Sequence, residues 1–124
     1  FHLFLRALSR GDEVPLFDDG EQTRDFTFCD DIVDGIIAAA SYPGRGEIFN
    51  LGGGSEISLI NAIHLAERIT GRKAKLQRFD RQMGDVRRTR ARLDQAHDKL
   101  GYVPKIDLEQ GLTEEWNWIR ATEA

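Results

Sequence analysis

An arginine early in the chain has the surroundings of an anion-binding side chain. Arg24 begins a short alternating run that ends at Phe28, and a turn-forming segment, residues 18–22, precedes it. A guanidinium offers a planar fork of N–H donors that matches the paired oxygens of phosphates and carboxylates. Arg24 can therefore reach into a cleft as a two-pronged clamp on an anionic ligand. The alternative is a surface ion pair with Asp25 or Asp30.

A second candidate for phosphate binding is the glycine run at residues 52–54. It lies between a predicted strand and a predicted helix, whose N-terminus attracts anions. The run lacks the third glycine of a G-x-G-x-x-G dinucleotide fingerprint, because Ile57 stands at that position. The acidic residue expected about 20 positions further on is also missing, since Arg72 and Lys73 occupy that region. We therefore interpret the run as a tight turn.

A cluster of arginines in the second half of the chain is the third candidate. Its members are Arg81, Arg87, Arg88, Arg90 and Arg92. Such a cluster can bind the phosphate groups of a small ligand or of RNA. No aromatic residue follows Phe79 within this segment, so stacking platforms for bases are lacking. The sequence favours an anionic small ligand or a solvated charged face over RNA.

The chain has no recognisable catalytic apparatus. His2, His64 and His97 are far apart and lack the spacing of metal ligands. Cys29 is the only cysteine, which excludes an internal disulfide, and no histidine lies near it in the sequence to activate it. No G-x-S-x-G motif is present. We predict no catalytic residue, no metal ligand and no cofactor-binding residue in this chain.

Composition indicates an ordinary globular protein. Of the 124 residues, 31% are charged and 40% are hydrophobic, which is typical of soluble domains. No run approaches the roughly 18 apolar residues of a membrane span. The net charge of −4 argues against a general nucleic-acid binder. We therefore expect no membrane partner and no nucleic-acid partner. We also expect a cytoplasmic protein, because a lone cysteine fits a reducing compartment.

The hydrophobic pattern predicts alternating helices and short strands. An extended run at residues 14–17 is confined to a sheet edge or a loop, because Pro15 cannot donate to a β-ladder. Further strands are predicted at residues 24–28, 47–51 and 75–79, and residues 81–92 are irregular. Helices are predicted up to Gly11, from Asp30 or Asp31 to Tyr42, from Ser58 to Gly71, from Leu93 to Leu100 and from Asp107 onwards. This is a mixed α/β fold with few short strands and several helices, and its thin sheet indicates a missing partner segment.

Specific residues are predicted to be buried or to cap helices. Leu3, Phe4, Ala7 and Leu8 form the apolar stripe of the first helix, and Ile32, Val33, Ile36, Ile37 and Ala40 form that of the second. The strand at residues 47–51 is also predicted to be buried. Asp30 or Asp31 can cap the second helix, and Ser58 caps the third. Asp107 and Gln110 have the spacing of a reciprocal cap on the last helix.

The order of motifs along the chain resembles a known enzyme family. The chain reads F-x-x-G-x-x-x-R-D-F-x-x-x-D-D-I from Phe17, I-F-N-L-G-G-G from Ile48, G-D-V-x-x-T from Gly84 and L-G-Y-x-P from Leu100, followed by a helix that contains tryptophan. This series is similar to the C-terminal part of NAD-dependent nucleotide-sugar epimerases and dehydratases. These are extended short-chain dehydrogenases and include the UDP-glucose and UDP-glucuronate 4-epimerases. The resemblance covers nearly the whole chain.

The resemblance implies an enzyme in two parts. An N-terminal Rossmann domain binds NAD and carries the catalytic Ser/Thr and Tyr-x-x-x-Lys residues, and a smaller C-terminal part holds the nucleotide sugar. Residues 1–124 are then the nucleotide-sugar-binding C-terminal region of an extended Rossmann-type enzyme, a fragment from which the NAD domain is absent. The resemblance assigns NAD to the parent enzyme and none to this chain, which alone is expected to be inactive.

The resemblance also assigns contacts with the nucleotide. Pro15 and Phe17 match the segment that lies against the uracil or thymine base. Arg24 matches the arginine on the diphosphate, and Phe26 matches the aromatic residue behind that arginine. Asp85 matches the carboxylate that accepts hydrogen bonds from ribose hydroxyls.

Two positions depart from the commonest family pattern. Gln82 stands where the 4-epimerases often carry an arginine. A glutamine occurs at this position in some uronate-type relatives. We include Gln82 as the last of the expected substrate contacts. Arg92 stands where the family usually has an aspartate, which adds a positive charge without an assigned role.

In the parent enzyme the resemblance implies hydride transfer. A tyrosine base removes a proton from a sugar hydroxyl, NAD accepts a hydride from carbon 4, and the keto sugar is reduced again or undergoes elimination. The implied partners are a UDP- or dTDP-sugar, the N-terminal Rossmann domain of the same protein and a second copy of the parent in a homodimer. The alternatives are a stand-alone binding or interaction module without catalysis and an RNA-binding piece that uses the cluster from Arg81 to Arg92.

Overall fold

A computed structural model describes residues 1–122 and contains five α-helices and four short strands within them. In chain order the elements are α1 (His2–Arg10), β1 (Glu13–Phe17), β2 (Thr23–Arg24), α2 (Cys29–Ala40), β3 (Ile57–Ser58), α3 (Leu59–Thr70), β4 (Lys75–Phe79), α4 (Asp94–Leu100) and α5 (Leu108–Thr122). The predicted mixed α/β class is confirmed. Within the described residues, no helix is both long enough and apolar enough to cross a membrane.

The strands form two separate pairs. β1 and β4 are parallel, and their register places Val14 opposite Leu76 and Phe17 opposite Phe79. β2 and β3 are antiparallel, with Arg24 opposite Ile57. Each pair has only two strands within residues 1–122, so β1 is an edge strand, as Pro15 predicts.

The main hydrophobic core lies between α1, α3 and α5. Its buried residues are Leu5, Leu8, Leu65, Ala66, Leu112, Trp116 and Ile119. The predicted stripe of α1 is wrong in part, because Leu3 is 78% exposed whereas Leu5 is fully buried. Apolar residues lie on both sides of this short helix, and the packing of α3 and α5 selects the side that is buried.

Helix ends follow the local sequence. The Ser58 hydroxyl accepts a hydrogen bond from the Asn61 amide at 3.4 Å and caps α3. The Asp107 carboxylate accepts from the Gln110 amide at 2.8 Å, and the Gln110 side chain accepts from the Asp107 amide at 3.1 Å. This is the predicted reciprocal cap, and it satisfies backbone donors that the helix itself leaves unpaired.

The predicted cap and buried stripe of α2 are both wrong. Phe28 occupies the cap position without a side-chain hydrogen bond, and Asp31 instead accepts from the backbone amides of Lys105 (2.9 Å) and Ile106 (3.1 Å). One helical turn further on, a Cβ atom on Gly35 would lie 2.6 Å from the Leu51 side chain. The helix thus packs on the rest of the chain through Asp31 and Gly35.

The other side of α2 is exposed in this structure. Val33, Ile36 and Ile37 are 50%, 57% and 60% exposed. Residues 47–51, predicted as a buried strand, are not in a strand, and Ile48 is 81% exposed. A strand requires a neighbour for its backbone groups, and residues 1–122 supply none here. We call the three α2 side chains, Val33, Ile36 and Ile37, the exposed apolar face.

Candidate functional site

Arg24 contacts Asp85, 61 residues further along the chain. β2 is paired with β3 on one side, and on the other side the Thr23 amide donates to the Arg87 carbonyl at 2.9 Å and the Thr89 amide donates to the Thr23 carbonyl at 3.2 Å. The loop that contains Asp85 is therefore held beside β2. Predicted ligand contacts from two separate motifs thus lie side by side.

Both guanidinium nitrogens of the Arg24 fork have internal acceptors. Nη2 donates to Asp85 Oδ1, and Nη1 donates to the Thr23 carbonyl at 2.7 Å. The Arg24 and Asp85 side chains are 25% and 31% exposed, so their charges are partly shielded from water and still reachable by a ligand. The alternative partners of Arg24, Asp25 and Asp30, do not pair with it.

Asp25 has a structural role that the sequence analysis missed. Its carboxylate accepts from the Gly53 amide at 2.9 Å and from the Ala91 amide at 3.2 Å. A Cβ atom on Gly53 would lie 2.3 Å from the Phe26 carbonyl oxygen, and one on Gly52 would lie 2.5 Å from the Ala91 side chain. These contacts support the tight-turn interpretation of the glycine run, and the Gly53 amide is directed at Asp25 rather than at a phosphate.

Replacing Gly53 with alanine is expected to destabilise the fold by about 2–3 kcal/mol, because the added methyl group has to displace a backbone carbonyl. Ser55→Ala, at an exposed position after the same turn, is the matched control and should change the stability by less than about 0.5 kcal/mol. Urea unfolding followed by circular dichroism measures both. Equal stability of Gly53→Ala and wild type would show that the turn has room for a side chain.

The predicted base-binding residues lie on β1. Phe17 stacks on Phe79 of the paired strand, with ring centres 5.3 Å apart and planes at 27°, and Pro15 is exposed. Phe26 lies elsewhere. Its ring packs against Phe1 at 4.6 Å and lines a cavity of about 290 Å³ that none of the other five predicted site residues lines.

The turn at residues 82–85 holds Asp85 in place. The Asp85 amide donates to the Gln82 carbonyl at 3.2 Å, and Arg81 Nη2 donates to the Asp85 carbonyl at 3.0 Å. Gly84 has a φ of +88°, which a glycine adopts without strain. Gln82 therefore contributes to the site through its main chain, and its side chain is exposed.

Four of the five arginines of the cluster pair with carboxylates of the same chain. Arg87 binds Asp19 through both nitrogens of its fork at 2.8–3.0 Å, and this contact lowers the pKa of Asp19 to about 2. Arg88 Nε donates to Glu56 at 2.7 Å. The ion pairs of the cluster are Arg87–Asp18, Arg87–Asp19, Arg88–Glu56, Arg90–Glu56 and Arg92–Asp94. This pairing disfavours the RNA alternative, because a phosphate at any of these four arginines would compete with a carboxylate already in place.

Comparison with known proteins identifies the family that the chain resembles. The model of the NAD dependent epimerase/dehydratase family matches residues 1–52. The chain is 39% identical over 118 residues to a UDP-glucuronate 4-epimerase of Thermodesulfobacterium geofontis, a match that covers 94% of this chain and 36% of that protein. The resemblance derived from the motifs is therefore confirmed: the chain is similar to NAD-dependent nucleotide-sugar epimerases and dehydratases.

Solved structures agree with this relationship. A UDP-glucose 4-epimerase of Thermotoga maritima with UDP-glucose superposes with a TM-score of 0.92 at 34% identity, over 98% of this chain and 39% of that one. A UDP-glucuronic acid 4-epimerase of Bacillus cereus in complex with UDP-glucuronic acid and NAD gives 0.89 at 31% identity, over 95% and 38%. The chain corresponds to a C-terminal portion of the family and spans less than half the length of these relatives.

Proposed function

We propose that this chain is the substrate-holding portion of an NAD-dependent nucleotide-sugar epimerase or dehydratase and that it grips the nucleotide diphosphate. The contact between Arg24 and Asp85 carries the proposal. It places a fork of cationic donors next to an anionic acceptor. A nucleoside diphosphate presents the complementary pair, since its phosphate oxygens accept hydrogen bonds and its ribose hydroxyls donate them.

The surroundings of Arg24 favour tight binding of a phosphate. β2 is fixed from both sides, by β3 and by residues 87–89, so the arginine loses little backbone freedom when a ligand binds. Its side chain is three quarters buried, and a charged hydrogen bond is stronger where water is partly excluded. In this proposal Arg24 holds the diphosphate and Asp85 accepts from the ribose hydroxyls.

The aromatic pair of Phe17 and Phe79 supports a place for the base. Phe17 and Phe79 present stacked rings at the ends of β1 and β4, directly before the segments that lead to Arg24 and Asp85. Together with the exposed Pro15 they form an apolar border for a flat heterocycle.

The exposed apolar face supports a further part of the proposal. Its side chains, Val33, Ile36 and Ile37, are each at least half exposed, and such a patch is typical of an interface. Ile48, in the segment at residues 47–51, is also exposed. We propose that the NAD-binding Rossmann region of the same protein covers it and supplies a partner strand for residues 47–51. A homodimeric parent and a cytoplasmic location stay predictions.

The chemistry of the parent enzyme would then be divided between two regions. NAD, when bound by the Rossmann region, supplies the hydride acceptor. The residues of this chain would hold the diphosphate and ribose at fixed positions, so that the attached sugar keeps one orientation relative to the reacting groups. The stand-alone binding module remains the second hypothesis, and it would use the same phosphate site.

Isothermal titration of the chain with UDP, with NAD as the comparison ligand, tests this function. We expect a saturable heat of binding for UDP and none for NAD. The proposal is wrong if folded chain, verified by circular dichroism, binds no UDP. Binding of NAD as tightly as UDP would contradict the division of roles.

A further inference from the structure

We infer that Asp85 determines specificity by occupying Arg24 until a ligand with both a phosphate and a ribose displaces it. This inference rests on the proposed function. Each terminal nitrogen of the Arg24 fork already donates one hydrogen bond, to the Thr23 carbonyl and to Asp85, so two of the five guanidinium N–H donors are occupied. A phosphate that binds this end of the fork therefore competes with the Asp85 carboxylate for Nη2.

Hydrogen bonds within its loop fix the position of Asp85. Its amide and its carbonyl are both hydrogen-bonded, to the Gln82 carbonyl and to Arg81, and residues 87 and 89 are tied to β2. The carboxylate is thus presented to Arg24 by a fixed turn. It acts as an internal anion that a ligand has to replace.

The free-energy cost of displacing the Asp85 carboxylate from Arg24 differs between ligands. Its side chain is 31% exposed, and a displaced carboxylate at this depth needs a new partner. A ribose supplies hydroxyl donors to it. Inorganic pyrophosphate has no sugar hydroxyls to offer it, so the repulsion between the phosphate charge and the displaced carboxylate is not offset by new hydrogen bonds from a ribose. The site should therefore select nucleoside diphosphates over pyrophosphate.

The wild-type chain gives the first test. Titration with UDP and with pyrophosphate, in buffer without divalent cations, should show UDP binding at least about 30-fold more tightly, since each lost hydrogen bond to a charged group has a large effect. Equal affinities for UDP and pyrophosphate would overturn the inference. This test needs no variant and so does not depend on how well a variant folds.

Asp85→Asn gives the second test, because the amide removes the negative charge and keeps the size of the side chain. We expect its affinity for pyrophosphate to rise by about tenfold and its affinity for UDP not to rise, because the ribose loses a charged acceptor. Asp80→Asn is the matched control, since this exposed residue lies in the same loop and its replacement removes the same charge. It should leave both affinities within about twofold of wild type, as surface charges are screened.

The outcomes separate this inference from the function on which it rests. If Asp85→Asn leaves pyrophosphate affinity unchanged, or if Asp80→Asn raises it as much, Asp85 does not restrict Arg24 and the inference is wrong. The proposed function would survive that result, provided that UDP binding still depends on Arg24. If the wild-type chain binds no UDP, the proposed function itself is wrong.

Discussion

Replacing Asp31 with alanine is expected to lower the free energy of unfolding by about 3–5 kcal/mol. Asp31 is 2% exposed, and its carboxylate accepts from two backbone amides, those of Lys105 and Ile106. Each hydrogen bond to a charged group contributes about 1.5–3 kcal/mol, and the alanine would remove the acceptor of both amides. The contact joins α2 to the segment before α5, so its loss should loosen the attachment of α2. Urea unfolding monitored by circular dichroism measures the change.

The neighbouring aspartate provides the control for this experiment. Asp30 is exposed and carries the same charge at the same end of α2, so it has nearly the same interaction with the helix dipole. Asp30→Ala should change the stability by no more than about 0.5–1 kcal/mol. If both variants lose the same stability, the effect comes from charge at the helix end, and the assigned role of Asp31 is wrong.

Replacing Arg24 with alanine is expected to weaken UDP binding by about 30-fold or more. The substitution removes the donor fork, and it also leaves the Asp85 carboxylate without its cation and close to the incoming phosphate. Two lost charged hydrogen bonds amount to about 2–3 kcal/mol or more. Arg24→Lys should restore part of the affinity, because an ammonium keeps the charge and loses the bidentate geometry. Isothermal titration compares the three proteins.

A distant arginine controls for the loss of one positive charge. Arg45 is exposed in the segment that follows α2, and Arg45→Ala lowers the net charge by the same amount. Its UDP affinity should stay within about twofold of wild type at physiological salt. Equal affinities of the Arg24→Ala and wild-type chains would remove Arg24 from the diphosphate site, even if UDP binds elsewhere.

The parts of the fold that the sequence predicts are those held by local contacts. Ser58 caps the helix that begins one residue later, and Asp107 exchanges hydrogen bonds with a residue three positions on. Asp31 shows why the same reasoning fails elsewhere. An aspartate at a helix N-terminus is typically predicted to be a cap. The partners of Asp31 instead lie 74 and 75 residues away, and no local sequence pattern predicts such a long-range contact.

The α2 helix shows a second limit. Its periodicity correctly indicates an apolar face, yet a pattern of residues does not tell which segment covers that face. Within residues 1–122, the side that packs is the one with Asp31 and Gly35, and the apolar side is exposed.

The candidate site contains one residue whose chemistry the sequence indicates and several contacts that only the fold reveals. The side-chain chemistry of Arg24 is visible in the sequence, and its alignment with the family motif suggests a diphosphate contact. The family motif assigns its actual partner, Asp85, to the ribose, and the direct pairing of the two side chains follows only from the loop that runs beside β2. The sequence predicts Asp25 only as a surface partner of Arg24, whereas in the structure Asp25 organises the glycine turn.

The most direct test of the central claim is a map of the amides that UDP perturbs. In a ¹H–¹⁵N NMR titration of the chain, the largest shifts should fall on Thr23, Arg24 and residues 82–87, and they should follow one saturable binding curve. Arg24→Ala should reduce these shifts at the same UDP concentration. Shifts centred on residues 52–54 and 90–94, or no saturable shift in the folded chain, would contradict a nucleotide diphosphate site at Arg24 and Asp85.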